Sequence, residues 1–300
     1  MFVVLGASGR AGGETARALM QAGERVRVVL RRPEQAGIWA TQGADVAIAN
    51  IEDVGSLAAA LRGTTGAFLL SPPPVDGDPD ARAEVIGRSL AQAVRQSGVQ
   101  RAVVLSSIGA QHATGTGVIG TLHTLEAHLH SAAPSVTFLR PGYFVETWGE
   151  VALAVFADGV LPSFLDPAQK IPMVSTVDVG RTAADLLRRD TKGTRVMELR
   201  GPQDWSADDV ATAFGQVLGR RVETLFIPPE ARLEILVQEG VPSQIAAALL
   251  GMYDGIASGR VEHEERREVR RGSFSLVDAV TRIVRGADVG GTFVSAYVPG

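Results

Sequence analysis

The chain contains 300 residues, of which 45% are hydrophobic and 21% charged, and its net charge is −4. This balance is ordinary for a soluble α/β protein and gives no electrostatic footprint for nucleic acid or an anionic membrane. Cysteine is absent, which excludes disulfides, thiolate metal sites and cysteine nucleophiles. The N-terminus enters an apolar strand almost at once, and no apolar run has bilayer length. We therefore expect a cytoplasmic protein without a signal peptide or membrane span.

A strand, a glycine-spaced turn and a helix open the chain. The apolar run 2–5 leads into Gly6, Gly9 and Gly12, and helix-forming residues follow over 14–20. This order suits a dinucleotide-phosphate cradle, in which glycines permit a sharp turn, close approach of a pyrophosphate and tight helix packing. The spacing is G-x-x-G-x-x-G, so a purely structural turn is the alternative. The residues of this turn predicted to bind cofactor are Gly6, Ser8, Gly9, Arg10, Ala11 and Gly12.

Strand and helix patterns then alternate through the first half of the chain. Such alternation predicts a Rossmann-type, doubly wound parallel sheet with helices on both faces. The predicted strands cover 25–30, 44–49, 66–70, 101–105 and 136–140. The predicted helices cover 51–61, 80–97 and 120–131, with Asp53 or Ser56 as a cap of the first.

The pattern loosens after about residue 145, which places a domain boundary between a Rossmann domain (1–145) and a smaller α/β substrate lobe (146–300). Some strands of this lobe are expected to return to the main sheet. Predicted strands lie at 195–199 and 221–226, and Ser206 is expected to cap a helix with Asp209 as its acidic partner. The mixed charges of 262–271 are typical of a solvated helix face or loop.

Ligands of such sheets bind outside the carboxyl ends of the strands. At the end of the second strand, where NAD-binding domains carry an acidic residue, the chain has Arg31 and Arg32. Arginine pairs with phosphate through a planar donor fork, so Arg31 predicts NADP rather than NAD; ordinary surface charge is the alternative. The other residues predicted to border the cofactor from strand ends are Asn50, Ser71, Pro72, Ser106 and Pro141.

These motifs together resemble the NmrA-like branch of atypical short-chain dehydrogenase/reductases, and the likeness covers nearly the whole chain. Loop 109–115 of this chain is similar to the corresponding loop of type-2 NADPH:quinone oxidoreductases. The resemblance implies NADP(H) binding and a small-molecule substrate held by a lobe over the nicotinamide; a homodimer is compatible with it. The matching segments are 6–12, 31–33, 105–110, 123–126, 139–144, 177–179 and 201–202.

The acid–base pair common in short-chain dehydrogenases is missing, because no tyrosine (143, 253 or 297) is followed by lysine four residues later. Related proteins often have lysine where this chain has His123. His123 either hydrogen-bonds the nicotinamide ribose, donates the proton, or is an ordinary helix residue. Ser106 and Tyr143 are the other candidates near the reacting atoms, against the alternatives of a strand-end turn and simple packing.

A metal site is not expected, because Glu126, His128 and His130 point to different sides of a helix. Quinone reduction asks less of a proton donor than ketone reduction, since the hydroquinone product is acidic. We therefore expect an NADPH-dependent reductase of quinones or similar conjugated carbonyls. The alternative is a non-catalytic NADP-sensing regulator, and an epimerase is weaker because it would need the missing Tyr-Lys pair.

Overall fold

A computed structural model describes residues 1–265 and 267–286 of the chain. Within these residues, eight parallel strands form one central sheet. In order across the sheet they are β13 (Glu268–Arg271), β10 (Gly193–Arg200), β6 (Ser135–Pro141), β5 (Arg101–Leu105), β4 (Gly66–Leu69), β1 (Phe2–Leu5), β2 (Val26–Leu30) and β3 (Asp45–Ile48). This confirms the predicted Rossmann-type fold. The strand order reverses between β1 and β4, which is where such sheets open a ligand crevice.

Helices flank both faces of the sheet. Those of the first half are α1 (Arg10–Gln21), α2 (Ala36–Ala40), α3 (Val54–Leu61), α4 (Pro79–Ser97) and α5 (Gly120–Leu129). The later helices are α6 (Ala152–Asp158), α7 (Thr176–Arg188), α8 (Ala207–Leu218), α9 (Pro229–Gln238), α10 (Ser243–Ala257) and α11 (Leu276–Val284). The predicted caps are present, because Asp53 accepts from the first turn of α3 and Ser206 forms a capping box with Asp209 on α8.

Short strands above the carboxyl edge of the main sheet frame the second lobe. They are β7 (Tyr143–Phe144), β8 (Val160–Ser163), β9 (Ile171–Val174), β11 (Asp204–Trp205) and β12 (Glu223–Phe226), arranged as β11-β9-β7 and β12-β8. The apolar side chains of β8, β9 and β11 share a core with α8, α10 and α11. Residues 287–300 of the predicted lobe, with Tyr297, lie outside the described residues.

Two parts of the second half join the main sheet directly. β10 pairs with β6 along seven residues, and β13 pairs with β10. The expectation of a solvated helix face or loop for 262–271 is therefore wrong over Glu268–Arg271, where the chain is an edge strand. α7 packs against α1, and their approach is close because a Cβ at Gly180 would lie 2.4 Å from the Glu14 carbonyl carbon.

The sixth strand also ends later than predicted. Pro141 still belongs to β6, since its carbonyl accepts from Ile108 and proline lacks only the donor. The next residue, Gly142, donates its N–H to the Leu199 carbonyl. A Cβ at Gly142 would lie 2.3 Å from the Pro172 carbonyl oxygen, so glycine here lets the second lobe rest on the sheet edge.

Among the helices in the described ranges, none combines the length and apolarity needed to cross a membrane. In the same part of the chain, no group of three or more His, Asp or Glu residues is arranged to hold a metal ion.

Candidate functional site

The turn between β1 and α1 leaves the first helical N–H groups open. Gly6 has a φ of +66°, a conformation that side chains rarely adopt, and its carbonyl accepts from the Gly9 N–H at 2.9 Å. Gly9 is the N-cap of α1; no side chain caps this end, and the first turn has no acidic residue. Ser8 and Gly9 are exposed. An uncapped helix N-terminus of this kind is a ready site for a phosphate group.

Gly12 determines how closely α1 approaches β1. A Cβ at this position would lie 2.3 Å from the Gly6 carbonyl oxygen and 2.7 Å from that of Leu5. Any larger residue must therefore move the helix away from the turn. The residues present fit a dinucleotide pyrophosphate, because the turn combines a backbone cradle with an uncapped helix end.

The other residues predicted for the cofactor lie at increasing distance from this turn. Ser71 and Pro72 directly follow Leu70, whose side chain covers Gly6, so they border the turn. Arg31 is exposed at the end of β2, next to β1. Asn50 follows the edge strand β3 and is also exposed, with its side-chain oxygen accepting from the Glu52 N–H. The fold thus aligns these residues along one edge, with Asn50 at its far end.

Ser106 lies in a buried network below the sheet edge. Its hydroxyl donates to Glu126 at 2.5 Å, and Glu126 accepts two hydrogen bonds from Arg140, at 2.7 and 2.8 Å. Only 4% of Ser106 is exposed. Its neighbour Ser107 is the serine that borders a cavity at the edge. The predicted role of Ser106 at the nicotinamide therefore competes with an internal structural bond.

His123 is half-buried on α5. Its Nδ1 lies 2.9 Å from the Ala110 carbonyl oxygen; because a carbonyl only accepts, Nδ1 carries the hydrogen. In the neutral ring Nε2 is then the atom with a free lone pair. This bond fixes His123 to the loop 109–115.

Tyr143 lies between two cavities. The edge cavity lies over the ends of β5 and β6, and its lining includes Ser107, Gly142, Tyr143, Pro172, Met252 and Val261. The second, here called the inner cavity, has a lining that includes Tyr143, Trp148, Glu150, Ser163, Phe164 and Tyr253. Tyr143 borders both cavities.

The Tyr143 hydroxyl lies 3.3 Å from the hydroxyl of Tyr253 on α10. Burial raises the pKa of Tyr253 to about 12, and the charge of Glu150 adds to this rise while the hydrogen bond with Tyr143 and the charge of Arg232 oppose it. Tyr253 therefore stays protonated at neutral pH. Sequence reasoning missed both Tyr253 and Glu150, because neither belongs to a motif with a recognisable spacing.

Glu150 connects the second lobe to the glycine turn. Its carboxylate pairs with Arg10, the first residue of α1, at 3.2 Å. Burial raises the pKa of the Glu150 carboxyl above its usual range, and the ion pair with Arg10 offsets only part of this effect. A carboxyl group that holds its proton more firmly than usual thus lies within the inner cavity.

Known proteins are similar to this chain along most of its length. The NAD(P)H azoreductase of Xenophilus azovorans is 24% identical over 253 residues, which cover 84% of this chain and 86% of the azoreductase. The NADPH complex of an NADPH-dependent quinone oxidoreductase from Escherichia coli has a TM-score of 0.77 and 22% identity, covering 95% of this chain and all of the other.

A third similar protein is the triphenylmethane reductase of Citrobacter sp., solved with NADP(H). It has a TM-score of 0.78 and 20% identity, and covers 94% of this chain and 100% of its own. At these identities the two solved structures establish a shared fold. The model of the NmrA-like family matches residues 1–269. The resemblance carried by the sequence motifs is thereby confirmed: this chain is a member of the NmrA-like family.

Proposed function

We propose that this protein is an NADPH-dependent reductase of quinones or similar conjugated carbonyls. The observation that carries the proposal is the uncapped N-terminus of α1 behind the Gly6–Gly12 turn, facing the same sheet edge as an apolar cavity. The similar proteins point the same way, since the azoreductase is named for NAD(P)H and the two solved structures contain NADPH or NADP(H).

The backbone of Gly6–Gly12 would hold the pyrophosphate, and Arg31 would pair with the 2′-phosphate that distinguishes NADP from NAD. The rest of the cofactor would be bordered by Ser71 and Pro72, and by Pro141 at the carboxyl end of β6. When bound, the reduced nicotinamide supplies a hydride to the acceptor.

The chain's own side chains then have to position the acceptor, exclude water and hold a proton at its oxygen. The apolar lining of the edge cavity, with Pro172 and Met252, provides a dry surface for a flat conjugated acceptor. Tyr143 lines this cavity, and its hydroxyl is restrained by a shared hydrogen bond with Tyr253. His123 stays a proposed contact of the cofactor ribose or a proton donor.

The first test is NADPH oxidation by the pure protein with a panel of quinones, enones and aldehydes, with NADH in parallel. We expect quinone turnover with NADPH preferred. Arg31→Ala should reduce the NADPH-over-NADH preference roughly 10- to 100-fold, the range expected for a lost charged hydrogen bond. Arg95→Ala, which removes an exposed arginine from α4, is the control and should keep the preference.

Two results would contradict the cofactor assignment: no binding of NADPH by titration, or an unchanged preference in Arg31→Ala. The alternative function is a cofactor-sensing regulator. It is favoured by the internal bonds of Ser106 to Glu126 and of His123 to Ala110, which occupy groups predicted for chemistry. Tight NADPH binding without turnover of any acceptor would support the regulator.

A further inference from the structure

The inner cavity brings the hydroxyls of Tyr143 and Tyr253 together with polar groups that the proposed positioning of cofactor and acceptor does not use. It has a volume of about 10 Å³, which is room for a single water molecule. Glu150 and the hydroxyls of Tyr143 and Tyr253 border it, as does Trp148. The buried indole N–H of Trp148 has no hydrogen-bond partner among the described residues. A polar lining of this kind suits a bound water.

Glu150 is well shielded within this group, with 10% of its side chain exposed. Arg10 from α1 acts on Glu150 and lowers the pKa of its carboxyl. Tyr253 from α10 responds to Glu150, whose charge raises the pKa of the tyrosine. α11 packs against Val145–Val151, the segment that carries Glu150, but its Asp278 is bonded to Ser275 and its Arg282 to Glu14. Glu146, on the segment of Glu150 itself, accepts hydrogen bonds from Ser175 and Thr176.

The two tyrosines connect this carboxyl group to the edge cavity. Glu150 acts electrostatically on Tyr253, Tyr253 shares a hydrogen bond with Tyr143, and Tyr143 borders the edge cavity. With one water molecule in the inner cavity, these residues would link the interior of the second lobe to the place where an acceptor oxygen would lie.

We propose that Glu150 is the internal proton source of the reductase, passing its proton through one water molecule and the hydroxyls of Tyr253 and Tyr143 to the acceptor oxygen. This inference rests on the proposed function. It goes beyond that function by naming where the proton comes from in a chain that lacks the Tyr-Lys pair.

The step balances for a quinone as follows. The acceptor gains a hydride, with two electrons, from the reduced cofactor, and its oxygen takes the phenolic proton of Tyr143. Tyr143 regains a proton from Tyr253, Tyr253 from the water, and the water from Glu150. Glu150 ends as a carboxylate facing Arg10, which stabilises that charge, and solvent returns a proton before the next turnover.

The test compares the pH dependence of quinone turnover in the wild type and in Glu150→Gln. In the wild type we expect kcat to fall as the pH rises through the elevated pKa of Glu150, because only the protonated carboxyl can donate. Glu150→Gln should lose this pH-dependent limb and lower kcat by about 10²-fold, with NADPH binding retained. Glu150→Asp should restore part of the rate and the limb.

Two further variants separate the relay from a structural effect. Tyr253→Phe interrupts the path without altering Glu150, and we expect it to lower kcat for the quinone in the same way. Glu24→Gln removes a carboxylate that pairs with Arg188 far from the cavity, and it should leave both kcat and the pH profile unchanged.

A cationic triphenylmethane dye provides an acceptor that needs no proton, because hydride addition to the carbocation gives the neutral leuco form. We expect the ratio of quinone turnover to dye decolourisation to fall about 10²-fold in Glu150→Gln. An equal loss on both acceptors, or a pH limb that persists in Glu150→Gln, would overturn the relay while the reductase stands. If the wild type does not take the dye, the pH limb alone decides. Absence of wild-type turnover on every acceptor overturns the proposed function, and the relay with it.

Discussion

At the level of single residues, the glycine turn depends on where a side chain is missing. We expect Gly12→Ala to force α1 away from β1, because the new Cβ would lie 2.3 Å from a backbone oxygen that cannot rotate aside. Overpacking of this kind costs about 1–3 kcal/mol. The free energy of unfolding, measured by denaturant titration, should fall by that amount, and NADPH affinity should fall at least about tenfold.

Gly37→Ala is the matched control for this substitution. Gly37 lies within α2, and no atom outside its own neighbours lies within 4 Å of its Cβ position. Alanine stabilises a helix by up to about 1 kcal/mol relative to glycine, so stability should stay equal or rise, with NADPH binding unchanged. Equal losses in the two variants would mean that the close approach at Gly12 has no special role.

The residues of the site differ in how far the sequence could reveal them. Gly6–Gly12 and Arg31 follow from local spacing, because each lies at a fixed distance from a strand whose pattern is strong. Glu150 and Tyr253 lie about a hundred residues apart in the sequence and meet only through the packing of the second lobe. Ser106 shows the reverse case, since its predicted position at the strand end is right but its hydroxyl bonds to Glu126.

At the level of elements, the charged stretch before and within β13 holds the second half of the chain onto the sheet. Glu264 pairs with Arg140 at 2.7 Å, and 4% of the Arg140 side chain is exposed. Asp185 on α7 accepts from Arg270 of β13 at 2.8 Å. Charge patterning alone could not predict this role, because the partner residues come from distant parts of the sequence and mixed charge is typical of solvated surfaces.

These contacts should make stability depend on acidic pH. The hydrogen bond from Arg267 lowers the pKa of Glu264, and the hydrogen bond from Arg140 lowers it further. Together these two effects outweigh burial, which acts to raise the pKa. Burial acts to raise the pKa of Asp185, but hydrogen bonds from Arg270 and Arg189 outweigh it. Groups with a lowered pKa stabilise the folded state above their unfolded pKa, near 4, and this stabilisation is lost as the pH falls through the folded value.

We therefore expect the midpoint of thermal unfolding to fall as the pH is lowered below about 4. The double variant Glu264→Gln with Asp185→Asn should show a shallower decline, because neither amide titrates. Asp76→Asn changes an exposed loop carboxyl and should leave the slope as in the wild type. A double variant with the wild-type slope would mean that these two pairs do not contribute to acid stability.

At the scale of the whole molecule, the two halves of the chain are joined through a shared buried cluster beside the cores that each half has of its own. A single buried cluster contains Val4 and Phe68 from the first half together with Val179, Leu187 and Leu199 from the second. The sequence indicates the first half clearly because each strand–helix unit is local. It does not show where β10 pairs, since that depends on contacts with β6 more than fifty residues earlier. The domain boundary at 145/146 thus stays a prediction, based on the change in sequence pattern and on the different roles expected of the two parts.

A fragment of residues 1–145 should accordingly fail to fold as a cooperative unit. Without α7 and β10, one apolar face of the sheet and the side of α1 that α7 covers would be exposed to water, at a cost of roughly 25 cal/mol for each Å² of apolar surface. We expect weak near-ultraviolet circular dichroism, no sigmoidal thermal transition and no NADPH binding. A strong circular dichroism signal, a sigmoidal transition and NADPH binding should all return when residues 146–300 are present. A cooperative transition together with NADPH binding in the isolated fragment would instead show that the glycine turn belongs to an autonomous domain, and that the second half adds only the acceptor pocket and its proton source.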